Sequence, residues 1–218
     1  MTATRLSPVH SLLTALVPTW EERAGMHVVA KAGGDDAARL ASVALADLSY
    51  LPRYGLKGPG ADAWLRSHGV EPPAAANRWL PLEGGGLIAR LGRTEFFIED
   101  GRGGSVVETI RSSLRTGAPD VYPVARQDAG LALAGAQVNA LLVQTCNVDF
   151  ESLAVEDRIV VMTQMIGVSV LAIRTNDKPM PTYRLWCDPT FAPYFWETLS
   201  EIARELGGGV IGTDGLPG

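Results

Sequence analysis

The sequence predicts an α+β fold in which antiparallel sheets are interrupted by single helices, arranged as two related βα lobes. Runs of apolar and β-branched residues are joined by tight glycine turns, whereas helical patterns occur one at a time between them. The segment Leu56–Leu65 also aligns with Leu133–Leu142 at a constant offset of 77 residues. Because both segments have the pattern strand, glycine turn, helix, they indicate an internal repeat.

The repeat predicts one domain over residues 1–207, made of lobes at approximately 26–120 and 121–207. Residues 208–218 are apolar, rich in glycine and without periodicity. We interpret them as a C-terminal tail that is either frayed or laid on a partner.

In the first half of the chain, helices are indicated by caps and apolar spacing, and strands by apolar runs between turns. Ser7-Pro8 begins a helix over 8–17, and Ser105 with Glu108 has capping-box spacing for a helix that Gly117 closes. Short helices are also expected over 36–40 and 61–67. The expected strands are 26–29, 54–57, 78–82, 87–91 and 96–98.

The second half continues with extended segments at 121–126 and 130–133 and a helix over 136–143. Two β-branched runs, 159–164 and 168–173, form a hairpin through Gly167. A further strand is expected over 182–187. The last helix is expected to start at Asp188-Pro189, bend at Pro193 and end at Gly207.

Composition excludes several classes of protein. The 218 residues include 24 acidic and 19 basic side chains, so the formal net charge is −5, the wrong sign for neutralising nucleic-acid phosphates. Two cysteines, Cys146 and Cys187, are too few and too far apart for a cysteine-based zinc site and are typical of free thiols in a reducing cytoplasm. No run is apolar and long enough to cross a bilayer, so we expect a cytoplasmic protein that binds no membrane.

One glycine motif resembles a dinucleotide-binding fingerprint. Gly58-Pro59-Gly60-Ala61-Asp62-Ala63 follows a strand and opens a helix, and Glu83 lies twenty residues after Ala63, where a ribose-binding acid would sit. The next strand, however, returns through a hairpin at Gly84 instead of continuing a βαβ unit. We therefore favour a structural turn over a cofactor loop.

The remaining candidates for chemistry are weaker. Gly101-Arg102-Gly103-Gly104-Ser105 precedes a helix and could hold an anion on free N–H groups, but it lacks the lysine of a phosphate loop. His10, His27 and His68 are too scattered in the sequence to suggest a metal site. Cys146 follows a helix, away from the helix N-terminus that lowers a thiol pKa, and no G-x-S-x-G elbow is present.

The order of segments resembles the folate-dependent aminomethyltransferases, the family of the glycine cleavage T-protein. The matching segments are Ser7-Pro8-Val9-His10, Trp20-Glu21, Ala46-Asp47-Leu48-Ser49 and Leu56–Leu65, followed by Leu131–Ala136 at the second glycine turn. This collinear series runs to about Gly207. The resemblance implies an aminomethyltransferase-like, folate-binding-domain fold.

The departures from that family concern its chemistry. In the aminomethyltransferases a paired aspartate follows a glycine hairpin and assists methylene transfer to tetrahydrofolate. Here Gly84-Gly85-Gly86 is followed by Leu87-Ile88-Ala89-Arg90, and neither Ala89 nor Arg90 can act as a base. The family's Gly-Tyr-Thr-Gly-Glu signature is replaced by Thr175–Pro181. We therefore expect no catalytic, cofactor-binding or metal-binding residues in this chain.

A shortened body of this kind is similar to the gamma subunit family of heterotetrameric sarcosine oxidases. That resemblance implies a non-catalytic gamma subunit, with alpha, beta and delta subunits as partners that hold FAD, FMN, NAD, zinc and tetrahydrofolate. It also implies packing against the folate-handling domain of the large subunit, in a complex that oxidises sarcosine to glycine. Three alternatives stay open: a gamma-type subunit of another N-methyl amino acid oxidoreductase, a stand-alone folate-binding protein supporting iron-sulfur or tRNA modification, and an active aminomethyltransferase using Asp47 as its acid.

Overall fold

The computed structural model describes residues 5–176 and 180–217, which form two compact units. One unit comprises the chain up to Tyr50, Asp128–Glu156 and the residues from Val161 onward, and is called unit 1 below. The other, unit 2, comprises Leu51–Gln127 and Asp157–Val160. Both units are discontinuous in sequence, whereas each predicted lobe is continuous. The division into a 1–207 domain and a 208–218 tail stays a prediction.

The described residues contain strands and helices in a mixed order, as the sequence predicts for an α+β protein. The strands are β1 (Thr19–Arg23), β2 (Met26–Lys31), β3 (Ala44–Asp47), β4 (Arg53–Lys57), β5 (Arg78–Leu82), β6 (Gly86–Arg90), β7 (Glu95–Glu99), β8 (Tyr122–Val124), β9 (Ala129–Ala134), β10 (Val160–Met165), β11 (Val168–Asn176), β12 (Thr182–Cys187) and β13 (Gly209–Val210). The helices are α1 (His10–Leu13), α2 (Asp36–Ser42), α3 (Ala61–Ser67), α4 (Val106–Leu114), α5 (Val138–Leu142) and α6 (Ala192–Glu205).

Unit 1 is built on a six-stranded sheet with the order β10-β11-β12-β9-β3-β13 and a separate β1-β2 hairpin. The pairings of β9 with β12 and β3 are antiparallel, and β13 lies parallel to β3. The central strands β9 and β3 are buried at every position, and apolar side chains of α5 and α6 share one core with the sheet. The core of this unit includes Leu133, Leu141, Tyr183, Leu185 and Phe195.

Unit 2 is built on a five-stranded sheet with the order β5-β6-β7-β4-β8. Its pairings are antiparallel. Apolar residues of α3 and α4 pack against one face of the sheet, with a core that includes Leu56, Leu65, Ile88, Ile98 and Ile110. This burial explains why the apolar residues of α4 recur at helical spacing.

The predicted internal repeat is confirmed by the topology. The series β4-α3-β5-β6-β7-α4 and the series β9-α5-β10-β11-β12-α6 have the same element order. They also have the same strand order, because β5-β6-β7-β4 in one sheet corresponds to β10-β11-β12-β9 in the other. Two related βα halves with antiparallel-rich sheets are therefore present.

The turn after the first strand of each half is the same in detail. Gly58 has φ of +128° and Gly135 has φ of +130°, a region that favours glycine. A side chain at either position would also overlap a backbone oxygen, that of Asp120 or Ser42 respectively. The same two oxygens accept equivalent hydrogen bonds, from Gly60 N to Asp120 O (3.1 Å) and from Gln137 N to Ser42 O (2.8 Å). The glycines aligned at the 77-residue offset therefore perform the same structural task.

The two halves exchange one strand. β3 precedes the first series in the chain but pairs with β9 of the second, whereas β8 precedes the second series but pairs with β4 of the first. Each sheet therefore contains a strand supplied by the other half of the sequence.

Several element boundaries differ from the predicted ones. α1 ends at Leu13 instead of residue 17, and β1 and β3 are not among the predicted elements. Asp188 does not cap the last helix, because its carboxylate accepts hydrogen bonds from the N–H and hydroxyl of Thr190 in a local turn. α6 therefore begins at Ala192, and Pro193 occupies its first turn, where the missing N–H is tolerated.

The end of the chain is tied to unit 1 through several hydrogen bonds. Val210 pairs with Leu45 in β3, and the Arg39 guanidinium donates to the carbonyl oxygen of Val210 at 2.8 Å. The Asp36 carboxylate accepts from Gly212 N at 3.1 Å, and buried Thr213 accepts from Arg23 at 2.8 Å. Residues 209–214 are thus part of the folded unit, where the sequence suggests a frayed or partner-bound tail.

Replacing Arg39 with alanine is expected to lower the free energy of unfolding by about 2 kcal/mol, because the charge-assisted hydrogen bonds to Gly33 O and Val210 O are lost. Urea unfolding of the full chain measures the change. Arg115→Ala is the matched control, since Arg115 is exposed and should alter stability by less than about 0.5 kcal/mol. Equal effects of the two substitutions would show that the chain end contributes little.

Candidate functional site

The position expected to carry the family's carboxylates lies in β6, directly after the glycine hairpin. Ala89 is completely buried there. The Arg90 guanidinium donates to the Asp62 carboxylate (3.0 Å), to Pro73 O (3.0 Å) and to Arg93 O (2.6 Å). Because these bonds engage both terminal nitrogens, Arg90 anchors neighbouring loops of unit 2 and offers no proton acceptor.

A buried ion pair joins two neighbouring strands of the same sheet, β4 and β7. Arg53 in β4 stands opposite Glu99 in β7, and Arg53 Nε donates to Glu99 Oε2 at 2.5 Å. The exposed fractions of the two side chains are 4% and 0%. The Glu99 carboxylate is therefore engaged by a buried guanidinium on the neighbouring strand.

The neighbouring carboxylate, Asp100, caps α4. Its two oxygens each lie 3.2 Å from Val107 N, whereas Ser105 makes no capping hydrogen bond from its side chain. The predicted capping box of Ser105 and Glu108 is therefore wrong, and Glu108 instead accepts from Ser112. The cap also accounts for the loop Gly101–Ser105, because Asp100 already occupies the N-terminal N–H groups that an external anion would need.

Burial raises the pKa of the Asp100 carboxyl above its ordinary value, although the hydrogen bonds from Val107 and Val106 oppose that rise. The folded state therefore binds a proton more tightly than the unfolded chain. The ionised carboxylate costs stability at neutral pH, and that cost is relieved as the pH falls through the folded-state pKa.

We therefore expect Asp100→Asn to be at least as stable as the parent chain at pH 7, within about 1 kcal/mol, because the amide oxygen keeps the cap without the buried charge. The difference should shrink as the pH approaches 4. Asp100→Ala, which also removes the cap, should be about 1 kcal/mol less stable than Asp100→Asn across the range. Guanidinium unfolding at pH 4, 5, 6 and 7 measures all three proteins. A loss of stability in Asp100→Asn at pH 7 that shrinks toward pH 4 would contradict the assignment, because it would mean that the folded state lowers the pKa of the Asp100 carboxyl.

Asp47, the candidate acid of an active aminomethyltransferase, ends β3 in unit 1. It is buried, and one carboxylate oxygen accepts from Ser49 N at 2.9 Å. The Ser49 hydroxyl in turn accepts from Gly130 N at 3.2 Å. This arrangement is that of a turn-forming aspartate that stabilises the chain after a strand.

The dinucleotide-like motif does not form a βαβ unit. β4, which precedes Gly58, has antiparallel neighbours on both sides, and the chain after α3 enters β5 of the same antiparallel sheet. Glu83 lies in the exposed 3-10 turn between β5 and β6. The glycines therefore serve the close backbone approach described above.

The structure brings together two histidines that are far apart in the sequence. The rings of His10 and Trp20 have centroids 5.0 Å apart, and His27 lies 6.4 Å from His10 and 6.5 Å from Trp20. His68 lies elsewhere, against Trp64 at 4.0 Å. Within residues 5–176 and 180–217, no three or more histidine, cysteine or acidic side chains are grouped for metal binding.

The cysteines are placed as packing residues. Burial raises the pKa of the Cys187 thiol to about 12, so the reactive thiolate is scarce at neutral pH. Cys146 is half-buried after α5. The segment Thr175–Pro181 stands where the sequence comparison expects the family's signature turn. Thr175 and Asn176 belong to β11, and Pro181 directly precedes β12. Residues 177–179 lie outside the described part of the chain.

No helix in the described residues is both long and apolar enough to cross a membrane. No family model matches the sequence, and no curated protein matches it. The fold, however, is similar to that of solved structures.

The fold is of the T-protein-like aminomethyltransferase type. The glycine cleavage system aminomethyltransferase T from Bartonella henselae superposes with a TM-score of 0.78 at 16% identity, over 97% of this chain and 60% of that chain. This chain thus spans about three fifths of that aminomethyltransferase.

The second similar structure is the heterotetrameric sarcosine oxidase from Corynebacterium sp. U-96, in complex with pyrrole 2-carboxylate. It superposes with a TM-score of 0.68 at 21% identity, over 94% of this chain and 97% of that chain. The two chains therefore share their fold over nearly their whole lengths. The predicted fold class is confirmed by both comparisons.

Proposed function

We propose that this chain is a gamma subunit of a heterotetrameric sarcosine oxidase. The observation that carries the proposal is the extent of the similarity to the oxidase chain, which covers 94% of this chain and 97% of that one. The aminomethyltransferase extends well beyond the region that this chain matches. The match covers 97% of the oxidase chain and 60% of the aminomethyltransferase.

The proposed role is non-catalytic. The strand after the glycine hairpin carries a buried alanine and an arginine bonded to four neighbouring residues, where methylene transfer would need an acid. The carboxylates Glu99 and Asp100 are respectively paired with Arg53 and bonded to the start of α4. The side chains that could move protons are thus engaged in holding unit 2 together.

The partners in this proposal are the alpha, beta and delta subunits, and the complex is cytoplasmic. FAD, FMN, NAD, zinc and tetrahydrofolate are bound by those subunits. The complex oxidises sarcosine to glycine by two electrons, which pass to oxygen, while the methyl carbon passes to tetrahydrofolate. This chain contributes a surface against the folate-handling domain of the large subunit.

Co-expression with the alpha, beta and delta subunits of the same organism tests the assignment. With an affinity tag on the alpha subunit, this chain should co-purify in a one-to-one ratio, and omission of this chain should lower the yield of assembled oxidase. The isolated chain should bind no flavin. Recovery of a complete, active oxidase from the other three subunits, with this chain left free, would refute the proposal.

Asp47→Asn and Asp100→Asn test the non-catalytic role in the assembled complex. We expect both variants to retain sarcosine-dependent hydrogen peroxide production and methylene transfer within about twofold. That range corresponds to a change of less than about 0.4 kcal/mol in the activation free energy. A loss of about 100-fold in a complex that still assembles would instead identify a catalytic acid.

Calorimetry of the lone chain with tetrahydrofolate tests the alternative that this chain is a stand-alone folate-binding protein. Tight binding without partners would favour that alternative over the subunit.

A further inference from the structure

We propose that His10 and His27 form a binding site for a divalent transition-metal ion in unit 1, with water completing the coordination. The site is separate from the proposed role in the oxidase. His10 begins α1, whereas His27 lies on β2. The fold brings the two imidazoles to a centroid separation of 6.4 Å.

The spacing of the rings lies at the upper limit for a shared ion, so one ring must move before both can bind a tetrahedral metal. Imidazole nitrogens bind Zn²⁺ and similar ions at about 2.0–2.1 Å, so two rings on one ion have centroids up to about 6.4 Å apart. A tetrahedral angle at the metal requires a separation shorter by about 1 Å. His27 is exposed on its strand, so rotation about its side-chain bonds can close that distance without moving the backbone.

The hydrogen bonding of His10 also favours a bound ligand. His10 Nδ1 is buried and has no hydrogen-bond partner within the described residues. A buried imidazole nitrogen without a partner is costly, and a metal ion or a water bound to one would satisfy it. The tilted Trp20 ring, 5.0 Å from His10, limits the rotation of the imidazole.

The local charge favours a cation. Glu22 stands directly opposite His27 in the antiparallel β1-β2 pair, so the two side chains project from the same face of the hairpin. Among the described residues Glu22 forms no ion pair, whereas neighbouring Glu21 is paired with Arg23. The Glu22 carboxylate therefore adds negative potential on the face of the hairpin that carries His27.

The site would tie α1 to the hairpin. With two protein ligands and the rest supplied by water, its affinity should follow the ligand preference of imidazole, with Cu²⁺ bound more tightly than Ni²⁺ or Zn²⁺.

Calorimetric titration of the tag-free chain with CuCl₂ at pH 7.5 tests the site. We expect one saturable equivalent, weakened at least tenfold in both His10→Gln and His27→Gln and unchanged in His68→Gln, whose ring stacks on Trp64 elsewhere. Cu²⁺ should also quench part of the tryptophan fluorescence, and that part should be missing in Trp20→Phe.

Testing both histidine variants distinguishes a lost metal ligand from a folding defect. His27 is exposed, so His27→Gln should fold even if a change at half-buried His10 disturbs α1. Binding that survives His27→Gln, or that is lost equally in His68→Gln, would overturn the proposal. Absence of saturable binding in the parent chain would overturn it as well.

Discussion

Replacing Glu99 with alanine is expected to lower the free energy of unfolding by about 3–5 kcal/mol. The substitution leaves the Arg53 guanidinium, 4% exposed, without the carboxylate that accepts its Nε–H at 2.5 Å. Removing one charge of a buried ion pair costs far more than the packing lost with a glutamate side chain. The loss should be measured as a shift in the urea midpoint of the full chain at constant m value.

A matched control is the exposed ion pair of Arg66 and Glu71. Glu71→Ala should change stability by less than about 1 kcal/mol, because water screens that pair. The double variant Arg53→Met with Glu99→Leu should recover much of the loss, since it removes both buried charges together. If Glu99→Ala costs no more than Glu71→Ala, the burial of the pair contributes little to its energetics.

Alanine at Gly58 or Gly135 is expected to lower the free energy of unfolding by about 3 kcal/mol or more at either position. Both residues have φ near +130°, and a Cβ would overlap the backbone oxygen of Asp120 or of Ser42. Because the two turns have the same geometry, the two losses should be similar. Thermal and urea unfolding of each single variant provide the measurement.

Alanine substitutions at two further glycines separate the cost of backbone strain from the cost of steric overlap. Gly69 has φ of +76°, and a Cβ added there would meet no atom within 4 Å, so Gly69→Ala measures backbone strain alone, at about 1 kcal/mol. Gly103 also has open space and lacks a positive φ, so Gly103→Ala should be close to neutral. A tolerated Gly58→Ala combined with a damaging Gly135→Ala would show that the two halves have diverged in their turns.

The elements that could be predicted are those whose signals are local. The bounds of α3 follow from the glycine turn before it and Gly69 after it, and those of β12 from an apolar alternation between two breaks. The repeat could be found because Gly58 and Gly135 must both be glycine. Each of these features is encoded within about ten consecutive residues.

The elements that local patterns miss depend on partners elsewhere in the chain. β1 has no apolar alternation and is an extended strand because it pairs with β2. β3 is rich in alanine, a helix-former, but lies buried between β9 and β13. The cap of α4 comes from Asp100, six residues before the helix, so the spacing of Ser105 and Glu108 indicates the wrong side chain.

Some features of the candidate site could likewise be predicted from local sequence, whereas others depend on distant segments. The absence of an acid at Ala89 and Arg90 is readable from the sequence, because it needs only the position relative to the glycine hairpin. The network around Arg90 is not, since Asp62, Pro73 and Arg93 come from three separate segments. The approach of His10 to His27 likewise depends on how α1 packs against a hairpin, which no local pattern records.

β3 and β8 each pair in the sheet of the other repeat. The chain therefore resembles a domain-swapped dimer whose two subunits are joined covalently in one polypeptide. A cut between α4 and β8 would separate the sequence into its two repeats, yet each fragment would carry a strand that belongs in the other's sheet. Neither fragment should fold alone, whereas an equimolar mixture should reconstitute both sheets. The covalent link therefore replaces a concentration-dependent association with an intramolecular one, which would keep this fold intact at any dilution.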